Sequence, residues 1–544
     1  MRIRRRQNQR KIISRKLTRH CLISLYALPK PCQSANISIH LKQLMEVSSA
    51  DEKERIGLNR WLFLFLVFGV GLRIFRYALG LPLWGDEGFL GVNILDRNFR
   101  GLLQPMEYIQ VAPLGFLWAE RAMYRLFGMS EYIMRLIPTL AGIAGLIVFV
   151  PWAKKILQPL AATLATGVLA VSDLAVRHAV ELKPYGIDLL AGVVLLYFAT
   201  SFLVDRKNRW LGLLIAVTPI ALFFSLPSVF VASGIAATLC LDLPRSPARH
   251  RGMILLFVGV LCATFAALVR GFLGPQLAGS GPSQEICWVF PPHDYNPMKF
   301  IIWLWQTHSG NFFGYPCDFT TPGSAPSFVL LAIGAVVLFR TGRVKLGLLV
   351  TSPFVMTFIA AMLRRYPYGD SPRVGQHLVG PICLLIGAGL AAIIRRFARN
   401  ERAVRLVSLI AFIVLIVIGL IGPAALMIAP SGEMRRDLAV RRFVRAAMEG
   451  IPPQTTVAVL ETAEQCDVLS RWYVHEGAHR LVWGVPIPDL PRVTSGPLLI
   501  MSSPIDLTGL EDRVAHAMGG APERDPKLVI PNQVSYEFLY YPKH

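Results

Sequence analysis

The chain has 544 residues, 53% of them hydrophobic and 17% charged, with a formal charge of +22 and a mean hydropathy of +0.48. That balance excludes a soluble enzyme with one large core and describes a polytopic membrane protein. The excess of Lys and Arg does not describe a nucleic-acid binder either. It falls in short clusters between apolar runs, and fourteen of these residues lie in the first sixty, as the positive-inside rule requires of cytoplasmic segments.

Residues 1–60 are basic, and up to Ala50 they show no helical periodicity; they read as a cytoplasmic tail. Cys21–Leu28 is too short for a signal sequence and has no small-residue cleavage site. Met45 is as good a start as Met1. Apolar runs of 17–25 residues then mark candidate spans: Trp61–Gly80, Leu136–Trp152, Leu157–Val171 and Ile187–Val204. A tight hairpin within Trp210–Leu241, broken at Ser225-Leu-Pro-Ser228, follows. Gly252–Val269, Ala325–Arg340, Leu346–Leu363, Gln376–Ile394 and Leu406–Ile428 complete the set. The expectation is an all-α membrane domain over 61–428 with about eleven transmembrane helices. Every strong basic cluster except Arg364-Arg365 then falls inside, provided Pro113–Phe127 lies in the outer interface as an amphipathic helix and does not cross.

Beyond Ile428 the pattern changes. A basic amphipathic helix is predicted at 433–449, strands at Thr456–Glu461, Leu481–Gly484, Pro497–Met501 and Val534–Tyr541, and helical pieces at 463–475 and 508–518. The alternation predicts a small C-terminal α/β domain, 429–544, on the extracytoplasmic side.

Three groups of polar residues share that side. Asp86 and Glu87 follow the first span in Leu81-Pro-Leu-Trp-Gly-Asp-Glu-Gly88. Glu181, Lys183, Tyr185 and Asp188 stand within eight positions at the mouth of a helix. Arg364-Arg-Tyr-Pro-Tyr-Gly-Asp-Ser-Pro-Arg373 forms a Pro/Gly turn. Ionisable groups at a membrane face are costly to keep and commonly serve chemistry or transport. Each group also has a structural reading: a solvated turn for Asp86-Glu87, a helix start for Lys183-Pro-Tyr185, a headgroup anchor for Arg364-Arg365. Together, acids and bases on one face suit transfer of a sugar from a lipid phosphate to a hydroxyl. A carboxylate takes the acceptor proton, and Lys and Arg hold the departing phosphate.

The order of these segments resembles the GT-C superfamily of glycosyltransferases, specifically its protein O-mannosyltransferase/ArnT-like branch. The resemblance is carried by Trp84-Gly-Asp-Glu87, Ala112-Pro-Leu-Gly-Phe-Leu-Trp118 with Leu126–Arg135, Glu181-Leu-Lys-Pro-Tyr185 and Ser225-Leu-Pro-Ser-Val-Phe230, over roughly residues 60–240. Tyr366-Pro-Tyr-Gly-Asp…Arg373 extends it more weakly. It implies integral membrane enzymes that use polyprenyl-phosphate sugars, with interfacial helices in the first outer loop. It also implies Asp86 as the key catalytic acid, with the neighbouring Glu87 catalytic beside it, and Glu181, Lys183, Tyr185 and Arg373 for donor phosphate or substrate binding. A single displacement would invert the anomeric carbon. The first-loop helix more often begins His-Pro-Pro or Lys-Pro-Pro in that family; Val111-Ala-Pro here leaves no basic residue at that point.

No cofactor is certain. A divalent metal ion is possible, with His293, Asp294 and His308 as candidates, although their spacing matches no standard site. A Cys287–Cys317 disulfide is plausible in an oxidising compartment. The aromatic residues of 288–315, Trp303 and Trp305 among them, are either interfacial belt residues or stacking platforms. The competing reading is a non-enzymatic transporter or lipid flippase with an outer domain. The expected partners are a polyprenyl-phosphate-linked hexose or pentose, an unidentified hydroxyl acceptor and membrane lipid, with no nucleic acid.

Overall fold

Helix starts and stops follow local chemistry. The structure, a computed structural model, describes residues 56–280, 290–292, 296–317, 324–369, 371–452, 454–460, 471–474, 480–493, 496–502, 509–528 and 536–542. The first long helix, α1 (Ile56–Ala78), stops before Gly80, whose positive φ of 51° reverses the chain. A short helix, α2 (Gly85–Asp96), follows with Asp86 and Glu87 in its first turn, where the helix dipole favours negative charge. Next comes α3 (Leu114–Phe127), closed by Gly128 at φ 81°. Ser130 accepts the Tyr132 N–H and so caps α4 (Glu131–Ile156). Pro159 opens α5 (Pro159–Val171), which bends by 55° into α6 (Asp173–Ala179). Then come α7 (Tyr185–Asp205), α8 (Asn208–Phe224), α9 (Ser228–Cys240) and α10 (Ala248–Leu268).

The second half holds α11 (Gly274–Ser280), α12 (Pro297–Ser309), α13 (Ala325–Arg340) and α14 (Val344–Met362). A 3₁₀ segment, Pro372–Leu378, runs into α15 (Val379–Phe397). Asn400 caps α16 (Glu401–Ile428) and Ser431 caps α17 (Gly432–Met448) through side-chain oxygens on backbone N–H groups.

Each of the eleven apolar runs is a helix, and together they make a multi-pass membrane protein. Among the described residues, seven helices are long and apolar enough to cross a bilayer, eight if α5 and α6 form one bent span. The shorter apolar helices α8, α9 and α13 have 17, 13 and 16 residues. The 14 residues of α3 reach about 20 Å, short of a crossing. Its Glu120 and Arg121 are buried while Leu126 and Phe127 are exposed. Arg121 donates to the carbonyls of Ile94 (2.7 Å) and Leu95 (2.9 Å), tying α3 to the end of α2. Burial holds the Glu120 carboxyl well above the usual carboxylate range.

Close helix approach rests on small residues. A Cβ at Gly186 of α7 would run into the Pro138 carbonyl of α4, and one at Gly142 of α4 would strike Ala179. The buried Arg73 of α1 has its cost offset by carbonyls: it donates to Gly69 (2.9 Å), Ala170 (3.3 Å) and Leu169 (3.3 Å).

The predicted C-terminal strands form as β1 (Thr456–Leu460), β2 (Arg480–Val485), β3 (Leu498–Ser502) and, last in the chain, a strand at Tyr536–Tyr541. The helix predicted at 508–518 is α18 (Leu510–Met518), while most of 463–475 lies outside the described residues. A two-residue strand at Lys527–Leu528 was not anticipated; it is β4, and Tyr536–Tyr541 is β5. The sheet runs β2-β1-β3-β5-β4, parallel from β2 to β3 and antiparallel at β5 and β4. Both faces are buried, as for strands covered on two sides. Val457, Val459, Leu499, Met501 and Phe538 join one core with Leu83, Leu90 and Ile94 around α2 and with Val440 and Val444 of α17. Ala458, Leu498, Ile500 and Leu539 face a second core with Leu510 and Val514. The C-terminal sheet therefore sits on the loop that carries Asp86.

Candidate active site

Glu87 is fully enclosed, with no exposed surface. It forms a two-pronged pair with Arg135 of α4, one prong being Nε to Oε1 at 2.8 Å and the other Nη2 to Oε2. It also accepts the backbone N–H of Leu182 (2.6 Å) and of Trp84 (3.2 Å). Arg135 in turn donates to the carbonyls of Leu81 (2.5 Å) and Pro82 (3.0 Å). One carboxylate thus joins the Asp86 loop, α4 and the Glu181–Lys183 turn.

Asp86, one residue earlier, points elsewhere. Its side chain is 27% exposed and pairs with Arg373, itself 24% exposed. Arg373 also lies over the Trp84 ring, 5.4 Å from its centroid, and Arg177 lies over the same ring at 5.9 Å. The segment that carries Arg373 is braced from beneath: a Cβ at Gly375 would strike Phe312, and Gln376 Nε2 meets the Tyr315 hydroxyl at 3.4 Å.

Lys183 is buried, and its Nζ donates to Gln110 Oε1 at 2.7 Å. Burial lowers its pKa to about 8, Asp86 and Glu87 partly opposing and Arg373 adding to the fall. Glu181 is enclosed by His178 (Nδ1 to Oε2, 2.9 Å) and Arg177 (Nε to Oε1, 3.2 Å). Burial alone would raise its pKa, but His178, Arg177 and Arg76 outweigh it and hold the carboxyl at about 2. Tyr185 packs its ring against His178, centroids 5.3 Å apart.

Asp86, Glu87, Glu181, Lys183, Tyr185 and Arg373 therefore belong to one neighbourhood built from α2, the turn before α7 and the segment before α15. Three further members have no role assigned from the sequence: Trp84 and Arg135, which stand within the quoted motifs, and Gln110, which directly precedes Val111-Ala-Pro. Their side chains act on residues far away in the chain, so only the fold reveals their partners. Asp188 is buried one turn into α7 with Oδ1 unpartnered. Arg364 turns away, donating to the Pro291 carbonyl at 2.8 Å and covering Phe290.

Of the metal candidates, His293 and Asp294 lie outside the described residues. His308 is stacked on Phe313 with Nδ1 donating to the Leu304 carbonyl at 2.7 Å. Among the described residues no group of three or more His, Cys, Asp or Glu converges as metal ligands. Cys287 also lies outside the described residues, so the Cys287–Cys317 pair does too. Trp303 is buried against Phe358 and Tyr368, whereas Trp305 is 61% exposed. Trp303 is thus core, not belt or platform.

Residues 111–269 match the family model described as dolichyl-phosphate-mannose-protein mannosyltransferase. No curated protein sequence matches the chain significantly. Among solved structures, ArnT from Cupriavidus metallidurans bound to undecaprenyl phosphate superposes with a TM-score of 0.52 at 14% identity, over 88% of this chain and 98% of that one. Its apo form gives 0.51 at 13%, over 89% and 98%. A looser likeness, TM-score 0.46 at 9% identity over 85% and 70%, links the chain to the Archaeoglobus fulgidus oligosaccharyltransferase in complex with Zn and sulfate. With a helical membrane domain that superposes over nearly the whole of both chains, this protein shares the GT-C fold of ArnT.

Proposed function

We propose that the protein is a membrane glycosyltransferase that moves a sugar from a polyprenyl-phosphate donor to an acceptor hydroxyl. The observation that carries the proposal is the Asp86–Arg373 pair: a partly exposed carboxylate, held at a helix start beside a second cation, Lys183. The match of residues 111–269 to a mannosyltransferase family and the fold held in common with a protein that binds undecaprenyl phosphate support the donor class.

In this scheme the donor phosphate draws Arg373 off Asp86 and meets Lys183 as well, two cations for one phosphate. Asp86, so released, takes the proton of the acceptor hydroxyl. The oxygen attacks the anomeric carbon, the carbon–oxygen bond to phosphate breaks, and polyprenyl phosphate leaves with its charge neutralised. One displacement inverts the anomeric configuration. Glu87 holds the loop through Arg135 and touches no reactant. Glu181 and Tyr185 shape the wall around Arg177 and His178. Lys154-Lys155, Arg395-Arg396 and the basic tail support an extracytoplasmic site in an inner or plasma membrane, with the C-terminal sheet on the same side. The sugar is a hexose or pentose, and the acceptor is a lipid, glycan or protein hydroxyl.

The test is transfer from radiolabelled polyprenyl-phosphate sugars in membranes with the wild-type protein or Asp86→Asn. Label reaching a product with the wild type and not with the variant supports the reading. Equal labelling by both moves the base to another acid, and no labelling by folded protein with any donor removes the enzyme reading.

A further inference from the structure

At the end of α4 remote from the site, a cavity of about 310 Å³ opens between α4, α5, α13 and α15. Arg135 holds Glu87 near one end of α4 and Ile156 lines the cavity at the other. The 21 residues between them correspond to about 30 Å of helix, the thickness of a bilayer's hydrocarbon core.

The walls are Leu157, Ala161, Val337, Leu338, Ala388 and Ala391. Alanines from two helices leave the space that larger side chains would fill. The rim is of opposite character. Arg343 and Arg395, both exposed, stand there with Gln158 and Thr341, and no acid lines the cavity. Arg343 Nη1 is fixed by the Ile156 carbonyl at 3.0 Å, which holds its guanidinium over the opening. The first turn of α5 begins at the same rim, and its partial positive charge has the same sign.

We infer that this cavity binds an anionic glycerophospholipid, its phosphate held by Arg343 and Arg395 and part of an acyl chain in the alanine-lined space. An apolar slot under a two-arginine rim fits an amphiphile with a phosphodiester; a small free anion would leave the slot unfilled, and a zwitterionic headgroup would set its own cation against the arginines. The donor lipid is a poorer fit on position, since its reacting end is needed on the opposite face. Only that exclusion of the donor lipid rests on the proposed reaction.

Native mass spectrometry of the purified full-length protein, equilibrated with equimolar phosphatidylglycerol and phosphatidylcholine, tests it. The expected result is at least tenfold preference for retained phosphatidylglycerol in the wild type. That preference falls to near parity in Arg343→Ala/Arg395→Ala and in Ala392→Phe, a change at another lining alanine that obstructs the slot and keeps both arginines. The two surface substitutions and the filling substitution would disturb folding by different routes, and size-exclusion profiles separate loss of binding from loss of structure. Equal retention of both lipids by the wild type would overturn the inference, as would an unchanged preference in the folded variants. So would displacement of phosphatidylglycerol by inorganic phosphate, or by undecaprenyl phosphate at equal concentration.

Discussion

Two carboxylates adjacent in the chain occupy opposite kinds of environment. Glu87 is sealed, paired on both oxygens with Arg135 and bonded to two backbone N–H groups. Asp86 is half-open and holds a single arginine that is itself half-open. The difference is one of helical geometry: successive residues at a helix start diverge by about 100° around the axis, so one acid faces the protein interior and the other a partly exposed surface. A sealed ion pair fixes structure, because its groups cannot reach anything else. A partly exposed pair can exchange its partner, which is what a base near a charged leaving group requires.

The sharpest way to break this comparison is to neutralise each acid separately. Asp86→Asn is expected to lower transfer by about 10²- to 10⁴-fold, the usual contribution of a positioned general base, with thermal unfolding in detergent nearly unchanged. Glu87→Ala is expected to do the reverse in kind: a destabilisation of about 3–5 kcal/mol, because Arg135 is left buried without its counter-charge. Thermal or denaturant unfolding measures it. Arg135→Ala is expected to cost a similar amount, and the double variant less than the sum of the two, by about 1–3 kcal/mol. A stable, folded and inactive Glu87→Ala would give Glu87 a place in the chemistry and erase the contrast.

The sequence makes the membrane segments legible because length and hydropathy are local properties: all eleven apolar runs are helices, and four of the five strands lie where alternation puts them. The count of crossings is less legible. Three helices are shorter than a bilayer's thickness, and no local property says how such a helix is embedded. At the site, Asp86, Glu87, Glu181, Lys183 and Arg373 are legible as charged residues on one face. Their division of labour is not. It depends on Arg135, 48 residues from Glu87, and on Gln110, 73 from Lys183, and spacing alone cannot pair side chains at such distances. Trp303, readable as a surface aromatic, is instead buried beneath Tyr368.

A smaller effect sharpens the open half of the comparison. Lys183 carries its charge below about pH 8 and loses it above. If that charge holds the donor phosphate, kcat/KM, which reports the free enzyme, should decline by about tenfold per pH unit above 8. Lys183→Arg, always protonated, should remove the decline even where its rate at pH 7 is lower. An identical decline in Lys183→Arg would assign the titration to another group. A flat wild-type profile would remove Lys183 from phosphate binding.

The smallest expected effect concerns how far the sealed half extends. Tyr473 of the C-terminal region accepts the Leu83 N–H and donates to Glu131 Oε1, each at 3.2 Å. Glu131 also receives Arg441 and Arg445 from α17, both at 3.2 Å, while Arg471 pairs with Asp96 and Glu107 on the other end of the loop. The loop carrying Asp86 is therefore clamped from two directions, by α4 through Arg135 and by the C-terminal region through Tyr473 and Arg471. Tyr473→Phe keeps the ring and removes only the hydroxyl, leaving the Leu83 N–H without its acceptor. The expected cost is about 1–2 kcal/mol in unfolding free energy. Transfer should fall only a few-fold, because Glu87 and Arg135 still hold the loop. A loss of activity as large as that of Asp86→Asn, without loss of stability, would mean that the C-terminal clamp and not the Glu87 pair sets the geometry of the open acid. The order of the two supports would then be reversed.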